Sequence, residues 1–104
     1  MNLLSSFKKV FIMGIGGSGM SSIAKYLKQK GHDVEGYDQR SSYITNLLEN
    51  DGVKTYQNLD DYSYEKDVLY IISSAINLDG TFLENFKENE NVISRPKFLK
   101  ELSE

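Results

Sequence analysis

The chain has 104 residues, 39% of them hydrophobic and 26% charged, with a formal net charge of −3 and no cysteine. That length allows one domain with one modest core, and the missing thiols exclude a disulfide framework and a thiolate metal site. No apolar run approaches the roughly 20 residues that span a bilayer, and the acidic balance argues against general binding to nucleic acid or a membrane surface.

The opening Met1-Asn2-Leu3-Leu4-Ser5-Ser6-Phe7-Lys8-Lys9 is not a secretory signal, because its lysines follow the apolar residues instead of preceding them. A cytoplasmic location is the expectation. Lys9 to Met13 then reads as a first strand. Ser18 to about Lys30 reads as a helix with Met20, Ile23, Ala24 and Leu27 inward, ended by Gly31 in a left-handed conformation. Asp33 to Tyr37 is a short second strand. Ser41 or Ser42 caps a second helix that turns Ile44, Leu47 and Leu48 inward, and Asp51-Gly52 stops it before a third strand, Val53 to Tyr56. The polar stretch from Gln57 to Asp67 is a loop with room for one helical turn. Val68 to Ile72 is a continuous apolar run, as in a parallel strand buried on both faces. A helix from about Thr81 to Glu88, a last strand from Asn91 to Ser94 and a terminal helix opened by Pro96 complete the pattern.

Strands alternating with helices imply an α/β fold, a Rossmann-like doubly wound parallel sheet of about five strands with flanking helices. Such sheets bind ligands beyond the carboxyl ends of their strands. Three segments lie there: Gly14 to Ser22, Asp38 to Ser42, and Ser73 to Asn77. The first is Gly14-Ile15-Gly16-Gly17-Ser18-Gly19-Met20-Ser21-Ser22. It places G-x-G-x-x-G between a strand and a helix, where glycine permits a tight turn and the missing Cβ lets a diphosphate approach the backbone. The positive end of the helix favours the anion. Asp38, about 20 residues further on as in the dinucleotide fingerprint, can accept hydrogen bonds from ribose hydroxyls or a base N–H, or serve only as a turn aspartate. Arg40 can pair with a phosphate or with a surface acid. Ser73, Ser74 and Ala75 leave space and hydrogen-bonding groups at the end of the fourth strand. His32, in a turn at the opposite end of the sheet, is not a catalytic candidate. Asp60, Asp61, Glu65 and Asp67 read as solvated, and the tyrosines as packing. The sequence shows no catalytic nucleophile–base pair, no metal site and no G-x-x-x-x-G-K-[ST] phosphate loop.

The loop G-I-G-G-S-G-M-S-S-I-A, from Gly14 to Ala24, resembles the opening of the UDP-N-acetylmuramate–L-alanine ligases, a branch of the ATP-dependent Mur ligases of peptidoglycan synthesis. Gly31-His32-Asp33-Val34-Glu35-Gly36-Tyr37-Asp38, Ser73-Ser74-Ala75-Ile76 and Val92-Ile93-Ser94-Arg95-x-x-x-Leu99 resemble further family blocks in order and spacing. Three departures stand out: Tyr37 where the family usually has serine, Gln57-Asn58-Leu59 where it often has a histidine segment, and Gly80-Thr81 in place of an Asn-Pro pair.

The resemblance implies a division of labour. In the family the N-terminal domain binds the UDP part of UDP-N-acetylmuramate. A central domain binds ATP and magnesium, and a C-terminal domain helps bind the amino acid. The muramoyl carboxylate is activated as an acyl phosphate that the amine of L-alanine attacks. Residues 1–104 correspond to the first domain alone, with the remaining ligase domains expected in cis. This domain holds no cofactor of its own, and alone it is expected to be inactive. Carried over by position, Gly14, Ile15, Gly16, Gly17, Ser18, Gly19, Met20 and Ser21 surround the diphosphate, and Asp38, Arg40, Ser73, Ser74 and Ala75 line the uridine side of the cleft. Two alternatives share the fold and the loop: an NAD-binding domain of a dehydrogenase or transport regulator, and a stand-alone nucleotide-sensing module.

Overall fold

The computed structural model of the protein describes residues 3–73 and 77–103. After a short 3₁₀ turn at Leu3–Ser6 the elements run β1 (Lys9–Met13), α1 (Ser18–Gln29), β2 (Asp33–Tyr37), α2 (Tyr43–Asn50), β3 (Lys54–Tyr56), β4 (Val68–Ile72), β5 (Val92–Ser94) and α3 (Arg95–Leu102). The five strands form one parallel sheet in the order β3-β2-β1-β4-β5. The chain therefore winds outward from β1 in both directions, as the alternating pattern requires. The register aligns Met13 with Tyr37 and Tyr37 with Tyr56, so the carboxyl ends of β1, β2 and β3 share one edge.

The period of two along each strand divides the core. Val10, Ile12, Val34, Leu69, Ile71 and Ile93 face α1, α2 and α3, which contribute Ile23, Leu27, Leu48 and Phe98. Phe11, Met13, Val68, Tyr70 and Val92 face the other way. Both sets are needed because a parallel sheet is covered on both faces. Gly36 on β2 leaves room in this packing. Its missing Cβ leaves the space that the Ile15 side chain fills.

The second face departs from the sequence reading. The helix expected from Thr81 to Glu88 is a succession of turns, with N–H to C=O bonds three residues apart from Thr81→Leu78 to Val92→Asn89. Eight residues are too few to sustain a helix without strong packing. Gly80 adopts a φ of +78°, and the Thr81 and Glu84 side chains offer the backbone alternative partners, accepting from Leu83 N–H and Gly80 N–H. The loop from Gln57 to Asp67 likewise contains turns and no helical turn.

Aromatic side chains from these two segments take the place of a helix. The Tyr62 and Phe82 rings pack 4.8 and 5.7 Å from that of Phe11, and Tyr64 stacks on Phe86 at 3.8 Å. Buried Asn91 ties the segments together. Its Nδ2 donates to the Val68 carbonyl (2.9 Å) and its Oδ1 accepts from the Tyr64 hydroxyl (2.7 Å). The Tyr62 and Tyr70 hydroxyls hydrogen-bond at 2.9 Å. Burial, then that hydrogen bond, pushes Tyr62 well above the ordinary tyrosine range.

One smaller difference falls on α2. Ser42 is the cap, and its side chain accepts from Thr45 N–H while Thr45 Oγ1 accepts from Ser42 N–H. This reciprocal box turns Thr45 into the protein and leaves Leu47, expected inward, exposed.

Candidate functional site

The loop between β1 and α1 starts with the one residue whose backbone demands glycine: Gly14 has φ +81°, in the left-handed region. That turn aims both the Gly14 and Ile15 N–H groups at the Tyr37 carbonyl (2.7 and 3.0 Å), which pins the loop to the end of β2. Ile15 then drops its side chain into the core, where it is fully buried. Gly17 N–H returns to the Gly14 carbonyl at 3.0 Å.

Asp38 sits directly against this loop. Its Oδ2 accepts from Gly16 N–H at 2.8 Å and its Oδ1 from Arg40 N–H at 3.1 Å. A Cβ on Gly16 would lie 2.6 Å from that Oδ2, so the contact exists only because residue 16 has no side chain. The carboxylate holds the loop in shape. Each oxygen retains a second lone pair through which it can accept a further hydrogen bond.

Helix α1 begins at Ser18 with Gly17 as its cap residue. Glycine has no side chain to cap with, and the first turn carries no acid. The N–H groups of Ser18, Gly19 and Met20 consequently have no acceptor among the described residues. Ser21 is already inside the helix: its N–H bonds to the Gly17 carbonyl at 2.8 Å, and its buried hydroxyl donates to the Ser18 carbonyl at 3.0 Å. Of the eight loop positions singled out from the sequence, three thus present open backbone donors. The other five shape and anchor the turn.

Of the remaining site positions, Arg40 and Ser73 follow β2 and β4 on the same edge of the sheet. Beside Asp38, between β2, α2 and β3, is a cavity of about 110 Å³ lined by Arg40, Ser41, Thr45 and Gln57 among others. A larger recess of about 430 Å³ lies past the ends of β2 and β3, with Tyr37, Gln57, Asn58, Leu59 and Phe82 on its walls. Ser73 follows β4 on the same edge of the sheet, on the other side of β1 from Asp38. Ser74 and Ala75 lie outside the described residues. His32 closes the turn after α1, at the far end of the sheet.

Sequence reasoning left one neighbour of the loop unassigned. Arg95 opens α3 directly after β5 and lays its guanidinium across Gly19. The signal was present in the Val92-Ile93-Ser94-Arg95 block, but nothing in linear spacing shows that β5 brings this residue to the start of α1.

Comparison with known proteins gives this geometry a context. Residues 9–104 match the model described as Mur ligase family, catalytic domain. The chain is 38% identical over 92 residues to UDP-N-acetylmuramate–L-alanine ligase of Caldicellulosiruptor saccharolyticus, covering 88% of this chain and 20% of that protein. It is 33% identical over 100 residues to the ligase of the same name from Fusobacterium nucleatum, covering 95% and 21%. Among solved structures, the UDP-N-acetylmuramate-alanine ligase of Thermotoga maritima shares the fold, with a TM-score of 0.77 over 91% of this chain and 22% of that one at 23% identity. The UDP-N-acetylmuramate:L-alanyl-gamma-D-glutamyl-meso-diaminopimelate ligase of Neisseria meningitides is similar with a TM-score of 0.70 at 28% identity, covering 91% and 31%. The chain spans about a fifth of the length of the curated relatives it matches.

Proposed function

The chain belongs to the Mur ligase family, and we propose that it is the domain that binds the UDP part of UDP-N-acetylmuramate for ATP-dependent ligation of L-alanine in the cytoplasm. The observation that carries this reading is the uncapped start of α1. Ser18, Gly19 and Met20 present three N–H groups with no acceptor among the described residues, and no acid stands in the first turn. A helix end of this kind favours a phosphate through both its donors and its dipole. Hydrogen bonds to a charged group contribute about 1.5–3 kcal/mol each, which outweighs the weak repulsion of a net charge of −3.

The nucleoside then lies toward Asp38, whose unused lone pairs face the cavity beside Arg40 and Gln57. Ser73 lines the opposite wall of the cleft, with Ser74 and Ala75 next in the chain. The part of this domain in the reaction is to hold the substrate by its nucleotide. ATP, magnesium and the groups that form the acyl phosphate and the amide belong to further ligase domains in cis. The phosphate-loop pattern such an ATP site uses is absent from residues 1–104. The relatives reported above are ligases, so the NAD-binding and sensor alternatives gain no support.

A thermal-shift series tests the reading. Ligand bound only to the folded chain stabilises it by about 2.7 kcal/mol at a hundredfold excess over Kd. UDP-N-acetylmuramate and UDP are expected to raise Tm by several degrees, and NAD and ATP to leave it unchanged. A rise with NAD and none with the UDP-sugar would reverse the assignment.

A further inference from the structure

Arg95 stands where no stability argument puts it. A Cβ built on Gly19 would lie 2.9 Å from Nη2, 3.0 Å from Cζ and 3.1 Å from Nε of Arg95. Three nearly equal distances mean that the guanidinium turns its face to the place a Cβ of residue 19 would occupy. Only glycine permits that approach. The Nε is buried and has no hydrogen-bond partner among the described residues. The ion pairs among the described residues are those of Lys9 with Glu35 and Glu65, so no carboxylate balances Arg95.

This arrangement costs free energy as it stands. A cation beside a helix N-terminus meets the positive end of the dipole, and a buried N–H without an acceptor forfeits its solvation. An anion at the open donors of Ser18, Gly19 and Met20 would relieve both penalties. Arginine's flat fork of donors suits phosphate oxygens in particular.

We infer that Arg95 is a substrate-binding residue whose guanidinium pairs with the diphosphate of the nucleotide, on the flank of the loop opposite Asp38. The inference rests on the UDP-binding reading above. It also gives the ligand a direction. Asp38 comes from β2 and touches Gly16, whereas Arg95 follows β5 and touches Gly19, and the two strands lie on opposite sides of β1. The carboxylate flank disfavours phosphate and accepts nucleoside hydroxyls. The guanidinium flank takes the diphosphate, and the sugar leaves the site past Arg95. Gly19 is thereby required for the seat of an arginine as well as for the approach of a ligand.

The test is a calorimetric titration of wild type and Arg95→Gln with uridine, UMP, UDP and UDP-N-acetylmuramate. Arg95→Gln is expected to weaken UDP and UDP-N-acetylmuramate by the same factor, roughly ten- to hundredfold if one or two charge-assisted bonds are lost. UMP is expected to lose less, and uridine nothing. Equal affinities in wild type and variant would overturn the assignment. A loss confined to UDP-N-acetylmuramate would also overturn it, because the partner would then be the muramoyl carboxylate. Wild type that binds none of the nucleotides would sink the UDP reading and this inference together, whereas wild-type binding unchanged in the variant sinks only the latter. A second measurement needs no variant. The Arg95 Nε–H resonance of the wild-type chain is expected to shift on adding UDP and to stay in place with uridine, and the reverse pattern contradicts the pairing.

Discussion

Gly16 and Asp38 are a single device. The glycine N–H and the carboxylate meet at 2.8 Å only because nothing projects from Cα16. Gly16→Val places its first side-chain carbon on Asp38 Oδ2, so the carboxylate must turn away and the branched side chain then stands in the cleft. UDP binding is expected to fall below detection in a calorimetric titration. The far-UV circular dichroism should be kept, since the displaced group is a side chain at the sheet's edge and not the core. Asp38→Asn separates the two roles of the carboxylate. It keeps the shape and one acceptor but loses the charge, so a severalfold loss of nucleotide affinity with little change in Tm is expected. A large fall in Tm would show that the loop depends on Asp38 for its fold. Tyr62 and Tyr70 make a different residue-scale prediction. Both are raised above the ordinary tyrosine value of about 10, chiefly by burial. A group with a raised folded-state pKa contributes stability that is complete below its unfolded value and is lost as pH climbs through the folded one. Urea midpoints should therefore be insensitive to these phenols up to about pH 10 and fall above it. The alkaline fall should be shallower in Tyr62→Phe.

At the scale of elements, α1 and α2 differ in how they begin, and the difference separates structure from function. Helix α2 is closed by the Ser42–Thr45 box, so Ser42→Ala should cost about 0.5–2 kcal/mol in urea denaturation and leave nucleotide affinity unchanged. Helix α1 is left open by Gly17. The contrast also explains what was legible beforehand. Lys9–Met13 and Val68–Ile72 are apparent from their apolar runs, and Asp33–Tyr37 from its place after Gly31, because a buried parallel strand leaves little sequence freedom. The glycine loop is legible for the same reason: its turn and close approaches admit few residues. Leu47 and the Thr81–Glu88 segment were misread because local periodicity is a weak signal over eight residues. Capping geometry decided the first, and packing of Phe82 and Phe86 as turns decided the second. Arg95 was invisible as a neighbour of Gly19 for a topological reason: two elements far apart in sequence meet only once the sheet order is fixed.

For the whole molecule, the sheet divides the labour between its faces. Three helices cover one face, while aromatic loops tied by Asn91 cover the other. Asn91→Ala would remove the acceptor of the Tyr64 hydroxyl proton and a donor to the Val68 carbonyl. A loss of about 1–3 kcal/mol is expected on that account, read from urea denaturation, with nucleotide affinity preserved because the binding edge lies at the other end of the strands. The proposed binding edge is assembled from both halves of the sheet, with Asp38 from one side of β1 and Ser73 and Arg95 from the other. The central claim is that this edge receives a diphosphate at the open start of α1. It is tested most directly by titrating the ¹⁵N-labelled chain with UDP-N-acetylmuramate while following the amide resonances of Ser18, Gly19 and Met20. Saturable downfield shifts at these three amides, absent with uridine, are the predicted result. Saturable binding that leaves all three unmoved, or no binding at all, would contradict it.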